Sequence, residues 1–282
     1  MLKYSLITLF GLIGLFDICR AATIDLSAGL VGEYLFNGNA NDSSGNGNNG
    51  VSSNLSPTED RFGNSGAAYN FLGNISANFS YVTIPTLLPN FGNGATMFAW
   101  FKADPAKLLI GHMNIISQPK AIGNGQNTGL RLQLYPNEVN ADGTQVNAGY
   151  NDNTQNVVAF GPINSVVADG NWHSAAATLS SDATSRILSV YFDGVLAESI
   201  SLSPLNVSSD TPFYIGTQFG ANFDYIEDPF IGAIDDVRVY TRALNSQEIQ
   251  AIHNVPEPTS LSLFLAGGTL LLGLRKRSKN KI

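Results

Sequence analysis

Asp42 sits in Asn41-Asp42-Ser43-Ser44-Gly45-Asn46, a carboxylate within a glycine-rich loop whose carbonyls can turn inward, and Asp235-Asp236 lie on the last long apolar run. Carboxylates, amides and main-chain carbonyls in flexible geometry are what calcium takes, so Asp42, Asn46 and one of the two aspartates are candidate ligands for a structural Ca2+. On a strand, Asp235 and Asp236 face opposite ways, and so do Ile234 and Val237, so the alternation does not choose between the two acids. An Asx-turn and a solvated aspartate pair would use the same residues. A second chemistry is sugar recognition, in which rings stack on aromatic faces and hydroxyls bond amides and carboxylates. Tyr135, Asp142, Asn147, Tyr150 and Asp152 gather in or beside the stretches 118–129 and 137–155, which read as long loops on a rigid scaffold. Trp100 and Trp172 fall in strand-like phrases, where large aromatics usually join a core.

Catalysis finds less support. Glycoside hydrolysis needs two carboxylates across a cleft, and Asp224-Tyr225-Ile226-Glu227-Asp228 runs into Pro229, which marks a loop. His112, His173 and His253 are scattered without metalloprotease spacing, and neither a phosphate loop nor a dinucleotide fingerprint occurs. The chain is therefore expected not to be an enzyme.

The elements that must position these residues are short. Alternating or apolar runs recur between Gly/Asn/Asp/Ser clusters, among them Gly29 to Phe36, Thr96 to Lys102, Leu130 to Tyr135, His173 to Leu179, Ile187 to Phe192, Val195 to Leu202 and Ile231 to Tyr240. That spacing predicts an all-β, two-sheet antiparallel sandwich. Asp193-Gly194 between two runs predicts a two-residue hairpin turn. After the last strand, Asn245 with Glu248 three residues on predicts a capped short helix through His253. Cys19 is the only cysteine and lies outside this region, so no disulfide supports the fold. Residues 22–256 carry 8 basic and 20 acidic residues, a net charge of −12 that repels nucleic acid and anionic lipid.

Both ends read as processing signals. Lys3, the apolar run Leu6 to Phe16 and Ala21-Ala22 form a secretory signal peptide over 1–21, cut by signal peptidase. The rival, a lipoprotein signal acylated at Cys19, lacks small residues before the cysteine. At the other end Pro256-Glu257-Pro258 precedes an apolar run at 259–274 and the basic cluster Arg275-Lys276-Arg277. A plain tail anchor with a cytoplasmic basic end would look similar. The three parts in this order over 255–282 resemble the PEP-CTERM sorting signal. That resemblance implies a Gram-negative bacterium, a protein held in the inner membrane only by this helix until exosortase removes the tail, and a final place at the cell surface or in the matrix.

Between the ends, Gly29-Leu30-Val31-Gly32-Glu33-Tyr34-Leu35-Phe36, Thr96-Met97-Phe98-Ala99-Trp100-Phe101-Lys102, Gly170-Asn171-Trp172-His173, Tyr191-Phe192-Asp193-Gly194-Val195 and Phe230 to Leu244 follow in order. Together they resemble laminin-G-like, concanavalin A-like lectin/glucanase domains, over a domain set at 23–254. The resemblance implies a jelly roll with its first and last strands adjacent, and its pattern selects Asp235 over Asp236. Hydrolases of that fold carry Glu-x-Asp-x-x-Glu or Glu-x-Asp-x-Glu on one strand, which this chain lacks. The function expected is binding of an extracellular polysaccharide; the alternative is a structural or adhesion protein with a surface-protein partner, and a divergent glycosidase comes last.

Overall fold

The computed structural model describes residues 24–75, 78–84, 94–105, 111–122, 126–136, 144–151, 155–162, 167–181, 185–203, 211–219 and 226–256. The expected signal peptide, the sorting helix 259–274, Asp142, Asp152, Glu257, Pro258, Arg275, Lys276 and Arg277 lie outside the described residues. Among the described residues no helix is long and apolar enough to cross a membrane.

In chain order the strands begin with β1 (Leu30–Tyr34), β2 (Val51–Ser53), β3 (Ser56–Thr58), β4 (Ala68–Leu72), β5 (Asn74–Ile75), β6 (Asn78–Phe79) and β7 (Tyr81–Ile84). The central ones are β8 (Ala95–Ala103), β9 (Met113–Ile122), β10 (Gln126–Pro136), β11 (Thr144–Asn151), β12 (Asn156–Phe160) and β13 (His173–Ser181). Then come β14 (Arg186–Phe192), β15 (Val195–Leu202), β16 (Phe213–Ile215), β17 (Gln218–Phe219), β18 (Ile226–Glu227), β19 (Ile231–Tyr240) and the helix α1 (Ser246–His253). An eight-stranded sheet runs β15-β14-β13-β8-β19-β4-β3 with β1 added on β19, and a seven-stranded sheet runs β12-β11-β10-β9-β16-β7-β2. Every pairing is antiparallel, and β1 lies against β19, so the first and last strands are neighbours as the resemblance implies.

Alternation supplies the core. Met97, Ala99 and Phe101 from β8 meet Leu130, Leu132 and Leu134 from β10 and Val146, Ala148 and Tyr150 from β11 in one apolar cluster, each large side chain contributing roughly 1.5–3 kcal/mol on burial. The eight-stranded sheet has a second dry patch on its other face, where Phe98, Trp100, Ala176, Tyr191 and Tyr240 are covered by Ile249 and Ile252 of α1. Asn245 caps that helix: its side chain accepts from the N–H groups of Gln247 and Glu248, and Glu248 reaches back to the Asn245 N–H. Asp193 and Gly194 take φ 47° and 76°, the left-handed pair that a tight hairpin between β14 and β15 requires.

Two expectations are corrected. The stretch 137–155 is not one long loop, because Thr144–Asn151 forms β11, and β9 and β10 reach into 118–129. β11 hides in the sequence because the positions turned away from the core are Gln145, Asn147 and Gly149 and those turned into it include a small Ala148, a weak alternation. Second, Asp235 and Asp236 do not alternate. The pairing of β19 with β8 slips between Asp235 and Arg238, Asp236 takes φ 46°, and both Ile234 and Val237 enter the core. This is a bulge, in which an extra residue re-aims its neighbours.

Candidate functional site

The outer face of the seven-stranded sheet brings polar side chains into rows. Gln133 on β10 stands opposite Asn114 on β9 and Asn147 on β11, and Asn147 stands opposite Phe160 on β12. Asn114 and Asn147 are 0 % exposed and Gln133 is 3 % exposed, yet neither amide atom of Asn114 or Asn147 makes a hydrogen bond. A buried polar group without a partner costs about 1–3 kcal/mol, so two such amides facing one way on one sheet face are expensive to keep unless something else uses them.

Rings frame one end of this row. Tyr135, half-buried, lies 4.5 Å from the His112 ring and 5.7 Å from Phe160, which is 37 % exposed. The next row along holds Ser117, Arg131 and Gly149. The Arg131 guanidinium lies flat over Gly149, where a Cβ would come within 2.6 Å of Cζ. Among the described residues its one hydrogen bond, from Nη2 to Asn156 Oδ1, is long at 3.5 Å. Desolvation lowers its pKa, against the opposing charge of Asp228, and among the described residues it makes no ion pair. Of these residues the accessible ones, half-buried Arg131 and Tyr135 and exposed Phe160, can bond hydroxyls and stack a sugar face, while the amides of Asn114 and Asn147 lie buried beside them.

The candidate residues divide. Tyr135 and Asn147 meet on this face, whereas Tyr150 is turned by strand alternation into the core at 1 % exposed, so a role in contacting ligand does not fit its position.

Asp42, Asn46 and Asp235 do not converge. One Asp42 oxygen accepts the N–H groups of Glu33 and Ser44 at 3.0 and 2.9 Å, and the other accepts that of Asn48 at 2.9 Å. Desolvation alone would raise its pKa, but bonds from Ser44, Glu33 and Asn48 outweigh that and the net shift is downward. Asn46 donates from Nδ2 to the Leu30 carbonyl and to Ser44 Oγ. A carboxylate ringed by N–H donors is an organised turn that fastens the loop to β1, and this donor set does not fit calcium, which needs oxygens. Among the described residues, no three His, Cys, Asp or Glu side chains come together as metal ligands would.

Asp235 instead joins a cluster around Arg61. The Arg61 guanidinium pairs with Asp236, lies 3.8 Å from Asp235 and donates to the Val255 carbonyl at 3.1 Å. It rests over the rings of Phe62 and Trp100, and Trp100 stacks on His253 at 5.0 Å. Burial, and after it the charge of Asp236, push the Asp235 carboxyl up to about 8 despite Arg61. Ser174 Oγ and His253 Nδ1 are 2.8 Å apart, the spacing of a nucleophile and its base, but Ser174 is buried at 1 % exposed beneath this cluster. His173 is held between two carboxylates: Nδ1 lies 2.9 Å from Asp193 and Nε2 3.3 Å from Asp169, and its pKa rises chiefly through the Asp193 bond.

Asn114, Gln133 and Arg131 escaped the sequence reading. Their signal is the polar residue at every second position of β10, Arg131-Leu132-Gln133-Leu134-Tyr135, which marks a strand whose wet face is populated.

The family described as Laminin_G_3, concanavalin A-like lectin/glucanases superfamily, matches residues 76–250. No curated protein matches the chain. Among solved structures, domain 4 of AbnA, a GH43 extracellular arabinanase from Geobacillus stearothermophilus solved in complex with arabinotriose, is similar with TM-score 0.55 and 19% identity, covering 80% of this chain and 99% of that one. The binding domain of Paraclostridial Mosquitocidal Protein 1 aligns with TM-score 0.60 and 16% identity over 82% of this chain and 53% of that one. The Botulinum Neurotoxin Type G receptor binding domain aligns with TM-score 0.56 and 18% identity over 80% and 51%. The chain thus spans about half the length of the toxin domains it matches, and at these identities the likeness is one of fold.

Proposed function

The chain belongs to the concanavalin A-like lectin/glucanase superfamily, and from that membership we propose that it is a non-enzymatic module binding an extracellular polysaccharide on the outer face of its seven-stranded sheet. The observation that carries the reading is the accessible group of Tyr135, Phe160 and Arg131 on this face, beside the buried row Asn114, Gln133 and Asn147. The residues facing out from β9 to β11 in the aligned rows are Asn114, Ser117, Arg131, Gln133, Tyr135, Gln145, Asn147 and Gly149. None of these is a carboxylate; Asp228 lies near Arg131 and 3.9 Å from His112 at the edge of the face.

The test is co-sedimentation of the protein with exopolysaccharide from the source organism. Tyr135→Ala is expected to weaken binding about tenfold, equivalent to ~1.4 kcal/mol for one lost ring contact. Equal sedimentation of variant and wild type would remove this face from the binding site. Adhesion through protein contacts is the second reading, favoured by the apolar edge where Val195, Leu196 and Ile187 are 65 %, 44 % and 39 % exposed. Failure of the wild type to sediment with any glycan would shift the weight there.

The proposal extends to the route. The module is exported from a Gram-negative cell, and exosortase removes the tail that begins at Pro256-Glu257-Pro258, leaving it at the surface or in the matrix. Alanine at those three positions is expected to hold the precursor in the inner membrane; normal release of that variant would sink this part.

A further inference from the structure

The other sheet carries a depression of its own. On the outer face of the eight-stranded sheet, Ala233 of β19 stands between Asn70 of β4 and Lys102 of β8. A small residue between two long ones leaves a hollow, and the structure has a pocket of about 660 Å³ there. That volume is in the range of small-molecule sites, roughly 300–1,000 Å³. One wall is Trp172 with Pro105, and the other is Thr58, Glu59 and Asp60.

The walls combine stacking with unpaired polar groups. The Trp172 indole is only partly buried and lines the pocket. Lys102 and Glu59 are exposed, line the same pocket and, among the described residues, make no ion pair with each other or with other side chains. A strong donor and a strong acceptor are thus left unpaired around an aromatic face. Asp104 and Asp60 add acidic character, though Asp60 is spoken for: it accepts from the N–H groups of Phe62 and Asn64 and from Asn64 Nδ2.

The pocket is also preformed. The Asp60 turn holds the 58–65 wall, and the next residue, Arg61, is fixed by Asp236 and the Val255 carbonyl. A site held in shape before binding loses little ordering entropy when occupied.

We propose that this pocket is a second saccharide site, independent of the amide face, which takes a neutral pyranose or furanose residue stacked on Trp172 with its hydroxyls bridging Lys102 and Glu59. Carboxylates from Glu59, Asp60 and Asp104 against the single Lys102 disfavour an acidic sugar. With one site on each sheet, a single domain holds two polysaccharide segments on opposite faces and cross-links them.

The chain has two tryptophans, so 5-fluorotryptophan labelling gives two fluorine signals, and Trp172→Phe assigns them. Titration with arabinotriose, cellotetraose and a galacturonic acid tetramer to about 10 mM is expected to move the Trp172 signal with a neutral probe and leave it unmoved by the acidic one. Lys102→Met is expected to weaken neutral-probe binding severalfold as read on the Trp172 signal, while Arg131→Gln leaves the Trp172 shift unchanged. A Trp172 signal unmoved by both neutral probes, or moved only by the acidic probe, overturns the proposal. So does a Trp172 titration curve in Lys102→Met that superimposes on that of the wild type. Because the fluorine signal reports this pocket alone, loss of binding at the amide face leaves the result readable.

Discussion

Arg61→Ala is expected to lower the melting temperature by about 10 °C. The side chain is 7 % exposed and is the cation for Asp235 and Asp236, and it also ties down the Val255 carbonyl at the end of α1. Removing one partner from a buried pair costs about 3–5 kcal/mol, because the remaining charge stays buried without compensation. In a domain of this size each kcal/mol moves the midpoint by about 2–4 °C. Asp235 gives a complementary signature. Unfolded, it releases its proton near 4; folded, it keeps it up to about 8. The folded state therefore binds more protons between those values, and stability falls as pH rises through that window. Asp235→Asn should remove this part of the slope, raising the midpoint more at pH 8.5 than at pH 4. A midpoint for Arg61→Ala within about 1 °C of wild type would show that the cluster does not hold the helix.

What the sequence made legible was local. The Asp193-Gly194 hairpin and the Asn245 cap are each decided within four residues, by backbone sterics in one case and by a side chain meeting an orphan N–H in the other, and both formed as expected. The sandwich and the meeting of first and last strands followed from the family phrases. β11 was lost because Gln145, Val146, Asn147, Ala148 and Gly149 alternate between polar and small rather than polar and bulky. The bulge at Asp235 was lost because one inserted residue reverses every later side chain, and alternation read on paper has no way to register it.

The candidate residues divide for a physical reason. Tyr135 and Asn147 were singled out for their types, and they do share a face; Tyr150 was singled out on the same grounds and lies in the core. Asn114, Gln133 and Asn147 meet only through register across β9, β10 and β11, and that register is not written in any one segment. Trp172 was passed over because indoles in strands are usually buried. Its place in a pocket depends on the small Ala233 two strands away, on the far side of Lys102.

Gly149→Ala is expected to separate binding from folding. A methyl at 149 would come within 2.6 Å of the Arg131 Cζ and Nε and 2.9 Å of its Nη2, the far end of a flexible side chain, with no closer backbone or core contact. The guanidinium can swing away at little cost, so the melting temperature should stay within about 1 °C of wild type. The desolvated seat over β11 is then lost, and the cation moves to water, where its bonds to a ligand weaken. If Arg131 bonds a glycan on the amide face, affinity should fall about tenfold, or ~1.4 kcal/mol. Arg131→Gln should produce a similar loss, and the double variant should be little worse than either single one, since both remove the same contact. Full affinity in Gly149→Ala would mean that Arg131 only packs the sheet face, and additive losses would mean that glycine itself lets the ligand approach the backbone of β11.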